Sequence, residues 1–199
     1  MMIGENKKQF SQFEFFLEKD NLMAKFTLLP FELKSAPTLK INTEFNHTDD
    51  SIFISYKCTG NLGAIDFGNN QANHQRIIGL WKQTCFELFI KNEKQQYIEF
   101  NFSPTFEWNA FYFEKKGMPL KEFDQIENMS IDILHSLEIF QLVAQVKKNQ
   151  LPLGFLKGAV HAGISAVIKN KNEKLSYWAI EHHDTKPNFH HFDSFKCKF

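Results

Sequence analysis

Thr84-Cys85-Phe86-Glu87-Leu88-Phe89-Ile90, then Lys91-Asn92-Glu93-Lys94-Gln95, then Gln96-Tyr97-Ile98-Glu99-Phe100-Asn101-Phe102-Ser103 is the stretch that decides the fold class. Both outer runs alternate with a period of two, and the short polar segment between them predicts an antiparallel hairpin. Side chains alternate across a strand, so Cys85, Glu87 and Phe89 share one face, and Tyr97, Glu99, Asn101 and Ser103 share the matching face of the next strand. With Lys91 to Gln95 as the loop, the register sets Phe89 near Tyr97, Glu87 near Glu99 and Cys85 near Asn101.

The same pattern continues on either side. Trp108 to Phe113 reads as a third strand after the Ser103-Pro104-Thr105 break. Upstream, Phe26 to Ile41 is extended in character, because Pro30 and Pro37 exclude a continuous helix. Ser51 to Tyr56 is a strand, and Asn61 to His74 is a long Asn- and Gly-rich loop leading to Arg76. Downstream, Lys115 to Glu127 is a loop and Ile131 to Leu134 a strand. Leu137 to Val146 fits either a strand or an amphipathic helix. Leu151 to Val160 is irregular, Ala162 to Ile168 and Leu175 to Ile180 pair around a turn, and a His-rich loop, Glu181 to Asp193, precedes a last strand over Ser194 to Phe199. Eight or more short strands separated by turn signals predict a mainly β fold: an antiparallel β-sandwich, jelly-roll-like, with little helix. Residues 1–25 form an arm or short helix, and 26–199 form one domain.

The 199 residues contain 23 phenylalanines, a bias that suits pleated, half-buried surfaces. Lysine plus arginine balance aspartate plus glutamate, 23 against 23, so there is no global field to attract nucleic acid or an acidic membrane. Arg76 is the only arginine, a residue whose planar fork differs from lysine's point charge, although a plain surface role fits it equally. Cys58, Cys85 and Cys197 lack metal or redox spacing, which suits reduced thiols in a cytoplasm. The N-terminal stretch lacks the apolar core of a signal peptide, and no run approaches the ~18 apolar residues of a membrane span.

Two carboxylates on neighbouring strands repel, so Glu87 and Glu99 call for a compensating partner: Arg76, a metal, a ligand or a shared proton. A face bearing Glu, Glu, Asn, Tyr and Ser suits a polar, hydroxyl-rich ligand, while an ordinary wet outer face would look the same. Trp81 and Trp108 stand at strand ends, where aromatic rings stack on ligands or fill a core. His182-His183 and His190-His191 lie in one loop. Alternation lets only one of each pair reach a common point, so we expect no metal there and assign Asn188 and Asp193 to loop capping. No GxSxG, P-loop, HExxH or GxGxxG pattern occurs.

Several segments together resemble the bacterial DOMON-like domains, which are related in fold to carbohydrate-binding module family nine. They are Leu80-Trp81-Lys82-Gln83-Thr84-Cys85-Phe86-Glu87, Glu99-Phe100-Asn101-Phe102-Ser103-Pro104 with Trp108, Gly163-Ile164-Ser165-Ala166-Val167-Ile168, Ser176-Tyr177-Trp178-Ala179 and Pro187-Asn188-Phe189-His190-His191. The resemblance spans about residues 26–199 and implies a jelly-roll sandwich with a binding role, sugars and haem being the ligand classes of the wider group. It implies Arg76, Trp81, Glu87, Glu99, Asn101 and His190 as pocket residues, to which Trp108 is added as a stacking ring. The expectation is a non-catalytic, cytoplasmic module for a small sugar-like ligand, monomeric or weakly dimeric and without a cofactor. An interaction scaffold and a haem- or metal-binding domain are the alternatives.

Overall fold

The computed structural model describes residues 24–34, 36–69 and 74–198; the expected N-terminal arm lies, up to residue 23, outside them. Eleven strands follow in chain order: β1 Ala24–Pro30, β2 Leu39–His47, β3 Ser51–Gly60, β4 Cys85–Lys91, β5 Tyr97–Phe102, β6 Trp108–Phe113, β7 Ser130–His135, β8 Ile139–Lys147, β9 His161–Lys169, β10 Leu175–Ala179 and β11 Cys197–Lys198. No α-helix occurs among the described residues, only short 3₁₀ turns. The ambiguous segment beginning at Leu137 is therefore the strand β8, whose alternating Phe140, Leu142, Ala144 and Val146 are buried.

The strands form an antiparallel β-sandwich. One sheet has the order β1-β2-β3-β8-β7 and the other β6-β5-β4-β9-β10, with β11 beside the start of β9. β1 belongs to both: Ala24 to Leu28 pair with β2, then Leu29 and Pro30 pair with β10. Proline sits at the last position of β1, where a missing N–H is tolerated. The expected final strand over Ser194 to Phe199 shrinks to β11, because Phe192–Ser194 coils into a 3₁₀ turn first.

Alternation decides what fills the core. Phe86, Leu88 and Ile90 of β4, with Ile98, Phe100 and Phe102 of β5, face Ile52, Ile54 and Tyr56 of β3 and Phe140 and Leu142 of β8. Phe86 and Phe140 stack across the gap at 5.6 Å. The Tyr56 hydroxyl spans the sheets and donates to the Glu87 carbonyl at 2.7 Å.

The β4–β5 register differs from the expected one by two residues: Lys91 pairs with Tyr97, Phe89 with Glu99 and Glu87 with Asn101. The cause is local. Asn92 and Gln96 close the hairpin through Asn92 N–H to the Gln96 carbonyl (3.0 Å), Gln96 N–H to Asn92 Oδ1 (3.1 Å) and Asn92 Nδ2 to Gln96 Oε1 (2.9 Å). Only Glu93, Lys94 and Gln95 remain in the loop, and Gln95 takes the left-handed conformation (φ 67°) that three-residue hairpins use. A shift by two preserves which way every side chain points. It makes the two acids diagonal neighbours rather than a directly opposed pair.

The outer face of the second sheet is covered, not wet; every residue of β4 is buried. The 3₁₀ turn Leu80–Lys82 lies over Cys85 and Val167, while Phe189, Phe192 and Phe195 of the C-terminal segment cover Phe89, Tyr97, Phe111 and Phe113. Gly163 permits this closure: a Cβ there would lie 2.4 Å from the Phe195 ring.

Candidate functional site

Between these two coverings a cavity of about 550 Å³ remains over the centre of the sheet, with Glu87 and Glu99 on its lining. Trp81, Tyr177, Phe189 and His190 give it aromatic walls, and exposed Lys82 contributes to its lining. Trp81 is braced edge-on against Phe111 at 5.8 Å.

The acids are 3 % and 5 % exposed, which makes their charges costly to maintain. Glu87 Oε2 accepts from Ser165 Oγ at 3.2 Å; Ser165 is the partner of Glu87 across β4 and β9. Glu99 Oε1 accepts from Asn101 Nδ2 at 2.8 Å, and Asn101 Oδ1 in turn accepts from Cys85 Sγ at 3.2 Å. Glu99 Oε2 is buried without a hydrogen-bond partner among the described residues. It lies 3.7 Å from His190 Nε2.

His190 is held as a neutral ring. Its Nδ1 is 2.9 Å from the Tyr97 hydroxyl, and its edge meets Phe89, Tyr97 and Phe113 with centroids 5.3, 5.8 and 5.4 Å away. Burial, with help from Lys116, lowers its pKa to about 4. Burial first and the charge of Glu99 second push the Tyr97 hydroxyl up to about 12, so Tyr97 remains a donor.

Burial raises Glu99 to about 7, against the opposing hydrogen bond from Asn101. Glu87 is driven well above the usual carboxylate range by burial and then by the charge of Glu99. The pair therefore retains a proton near neutrality, one of the compensations that like charges can adopt. Cys85 is likewise pushed far up, by burial and then by both acids, and stays a thiol that donates to Asn101.

Of the seven residues singled out from the sequence, Trp81, Glu87, Glu99 and His190 line this cavity, and Asn101, fully buried, orients Glu99 from behind. Arg76 and Trp108 lie elsewhere. Arg76 donates to Asn109 Oδ1 at 3.1 Å, to the Phe123 carbonyl at 3.2 Å and to the Ile126 carbonyl, with its guanidinium carbon 4.5 Å from the Trp108 ring centroid. It clamps the loop after β6 instead of neutralising the acids. Trp108 pairs with Phe102, so alternation turns it into the core.

Sequence reasoning missed Ser165, Tyr177, Phe189 and Lys82. The first two sit on alternating positions of β9 and β10, so the period carried their signal. The other two reach the cavity only through tertiary folding of a turn and a loop.

The four histidines lie in an irregular segment rather than a strand, and they point to different places. His182 Nε2 is 2.9 Å from the Leu29 carbonyl and His190 enters the cavity. His183, His191 and Asp193 bring their ligand atoms within 4.8 Å of one another on the outside. Asn188 Oδ1 accepts from the His190 backbone N–H at 3.0 Å, a capping contact that fixes the wall.

No protein-family profile and no curated protein matches the chain. Solved structures do. A candidate carbohydrate-binding protein from Bacteroides uniformis ATCC 8492 superposes with a TM-score of 0.62 at 12% identity, over 85% of this chain and 82% of that one. A carbohydrate-binding module of family nine from Caldicellulosiruptor kristjanssonii, in complex with glucose, gives 0.50 at 5% identity over 77% and 73%. A family-nine module from the same organism, in complex with cellotriose, gives 0.50 at 6% identity over 78% and 72%. At such identities the shared property is the architecture, a β-sandwich of the family-nine type.

Proposed function

We propose that the chain is a non-catalytic binding module whose cavity takes a sugar or sugar derivative, as the resemblance to DOMON-like domains implies. The observation that carries this reading is Glu99 Oε2: a buried acceptor, without a hydrogen-bond partner among the described residues, on the lining of an aromatic-walled cavity. A buried polar atom without a partner costs about 1–3 kcal/mol, and a ligand hydroxyl or amine donating to it recovers that. About 550 Å³ falls within the 300–1,000 Å³ range typical of small-ligand sites. Trp81 and Tyr177 offer ring faces to the apolar side of a pyranose, while Glu87, Glu99 and Asn188 fix its orientation. The modules from Caldicellulosiruptor that share this architecture are complexed with glucose and cellotriose, which supports the ligand class. Three buried, unpaired thiols support assignment to a reducing compartment, the cytoplasm.

Calorimetry of the full chain against monosaccharides, short oligosaccharides and sugar phosphates tests the proposal. A saturable heat is expected for at least one class, weakened about tenfold or more in Glu87→Gln and in Trp81→Ala. Absence of heat across the panel, with Glu87→Gln indistinguishable from the parent, refutes it.

A further inference from the structure

We propose that the cavity selects an amino sugar, with a protonated amine rather than a hydroxyl seated beside Glu87 and Glu99; this rests on the sugar-binding reading above. The acid pair lacks a counter-charge among the described residues. Two acids are buried close together, and among the described residues no lysine or arginine forms an ion pair with them. Arg76 is committed to two backbone carbonyls and Asn109. His190 is neutral, held by the Tyr97 hydroxyl and by the rings of Phe89, Tyr97 and Phe113. Lys82 lines the cavity but is exposed, so solvent screens its charge far more than that of the buried acids. Lys116 acts on His190. Among the described residues, the other titratable groups beside the acids are Cys85, Tyr56 and Tyr97, all pushed upward by burial and none able to supply a positive charge.

An ammonium group fits what remains. It offers three donors and no acceptor, and the acid side of the cavity is rich in acceptors. Among the described residues, Glu99 Oε2 has no hydrogen-bond partner, and one oxygen of Glu87 receives a hydrogen bond, from Ser165. A sugar hydroxyl has acceptor lone pairs to satisfy as well, and the acids supply a donor only while they hold a proton. The walls agree with the floor. Trp81, Tyr177 and Phe189 present π-systems to the same space, which attract a desolvated cation and are indifferent to a hydroxyl. Charge-assisted hydrogen bonds are roughly twice as strong as neutral ones, so the preference should reach about tenfold.

Proton release adds a second signature. An ammonium stabilises the ionised carboxylates, so a proton held by the acids in the free protein must leave when the amine binds. A neutral sugar forces no such release.

The test is calorimetry of the full chain at about pH 6.5, where Glu99, raised to about 7, is largely protonated. The probes are glucosamine, N-acetylglucosamine and glucose, each titrated in phosphate and in a buffer of high ionisation enthalpy. Glucosamine should bind about tenfold or more tightly than the other two, with an apparent heat that changes with buffer. Glu99→Gln, checked for folding by near-ultraviolet circular dichroism, should bring glucosamine down to the affinity of glucose. Glucose or N-acetylglucosamine binding as tightly as glucosamine overturns amine selection and leaves the sugar site standing. Glucosamine binding without buffer-dependent heat also overturns it, as does a magnesium or zinc titration whose heat disappears in Glu99→Gln while glucosamine gives none. No heat from any of the three sugars overturns this inference, and the sugar-binding reading falls with it only when the wider panel of oligosaccharides and sugar phosphates is silent as well.

Discussion

Replacing Glu99 by glutamine should stabilise the protein at alkaline pH and leave it nearly unchanged in mild acid. In the folded chain the Glu99 carboxyl is raised from 4.5 to about 7, chiefly by burial. The sign follows from proton binding. Between these values the folded state holds a proton that the unfolded chain has released, so stability is greatest below about pH 4.5 and declines as pH rises to about 7. The displacement corresponds to about 3 kcal/mol lost above the window. Glutamine keeps the Oε1 acceptor used by Asn101 and carries no charge. Its new amide donors introduce a packing and hydrogen-bonding cost of their own, but that cost is the same at every pH. It cancels when the effect of the substitution at about pH 8 is compared with its effect at about pH 4, below the window, leaving about 3 kcal/mol. Urea denaturation of both proteins at the two pH values measures this difference. In a chain of this size it also appears as a rise of about 6–12 °C in Tm at the higher pH. Equal effects at the two pH values, within about 0.5 kcal/mol, would refute the claim that burial holds a proton on Glu99. The double variant with Glu87→Gln should be clearly non-additive, since the charge of Glu99 is one of the two causes that raise Glu87.

Arg76→Lys should lower stability by about 1–3 kcal/mol in the same denaturation assay without altering ligand affinity, because a single ammonium cannot reach Asn109 and both loop carbonyls as the fork does. Gly163→Ala should cost about 1–3 kcal/mol and increase hydrogen exchange in the C-terminal segment, since the added Cβ meets the Phe195 ring at 2.4 Å. The thiols should resist Ellman's reagent in the native state and react on unfolding; Cys58 and Cys197 are both pushed up to about 12 by burial and all three are buried. Rapid native-state labelling of more than one thiol would contradict that packing.

The alternation in Thr84 to Ser103 was enough to set the fold and to place Glu87, Glu99 and Asn101 on one face, because a period of two is a local property of the chain. It was not enough for the register. The Asn92–Gln96 pairing and the left-handed Gln95 are turn chemistry that polar composition alone does not disclose. The fork of Arg76 was legible as a capacity, whereas its targets, the Phe123 and Ile126 carbonyls, are backbone groups of a loop without a sequence signature. The largest difference concerns solvent. Alternating polar residues look alike on a wet face and on a covered one, and the cover here comes from the 3₁₀ turn bearing Trp81 and from a segment more than eighty residues further along the chain.

That cover gives the acid pair its meaning. On an open sheet Glu87 and Glu99 would be hydrated, ionised and unremarkable in energy. Under Trp81, Phe189 and His190 they lose water, and the sheet offers in return only Ser165 and Asn101, one oxygen on each acid. Apolar side chains of similar volume would fill those two positions at no such cost, as Phe89 and Phe111 do on the same face. A sandwich selected for stability alone has no use for the pair. Destabilisation concentrated at one cavity, with Glu99 changing its proton state near neutrality, is the pattern expected of the ligand site proposed above. The two kinds of measurement proposed above are therefore linked: the Glu99 and Glu87 glutamine variants should gain stability at alkaline pH while losing affinity, and variants that lost both or gained both would separate the cavity from the function assigned to it.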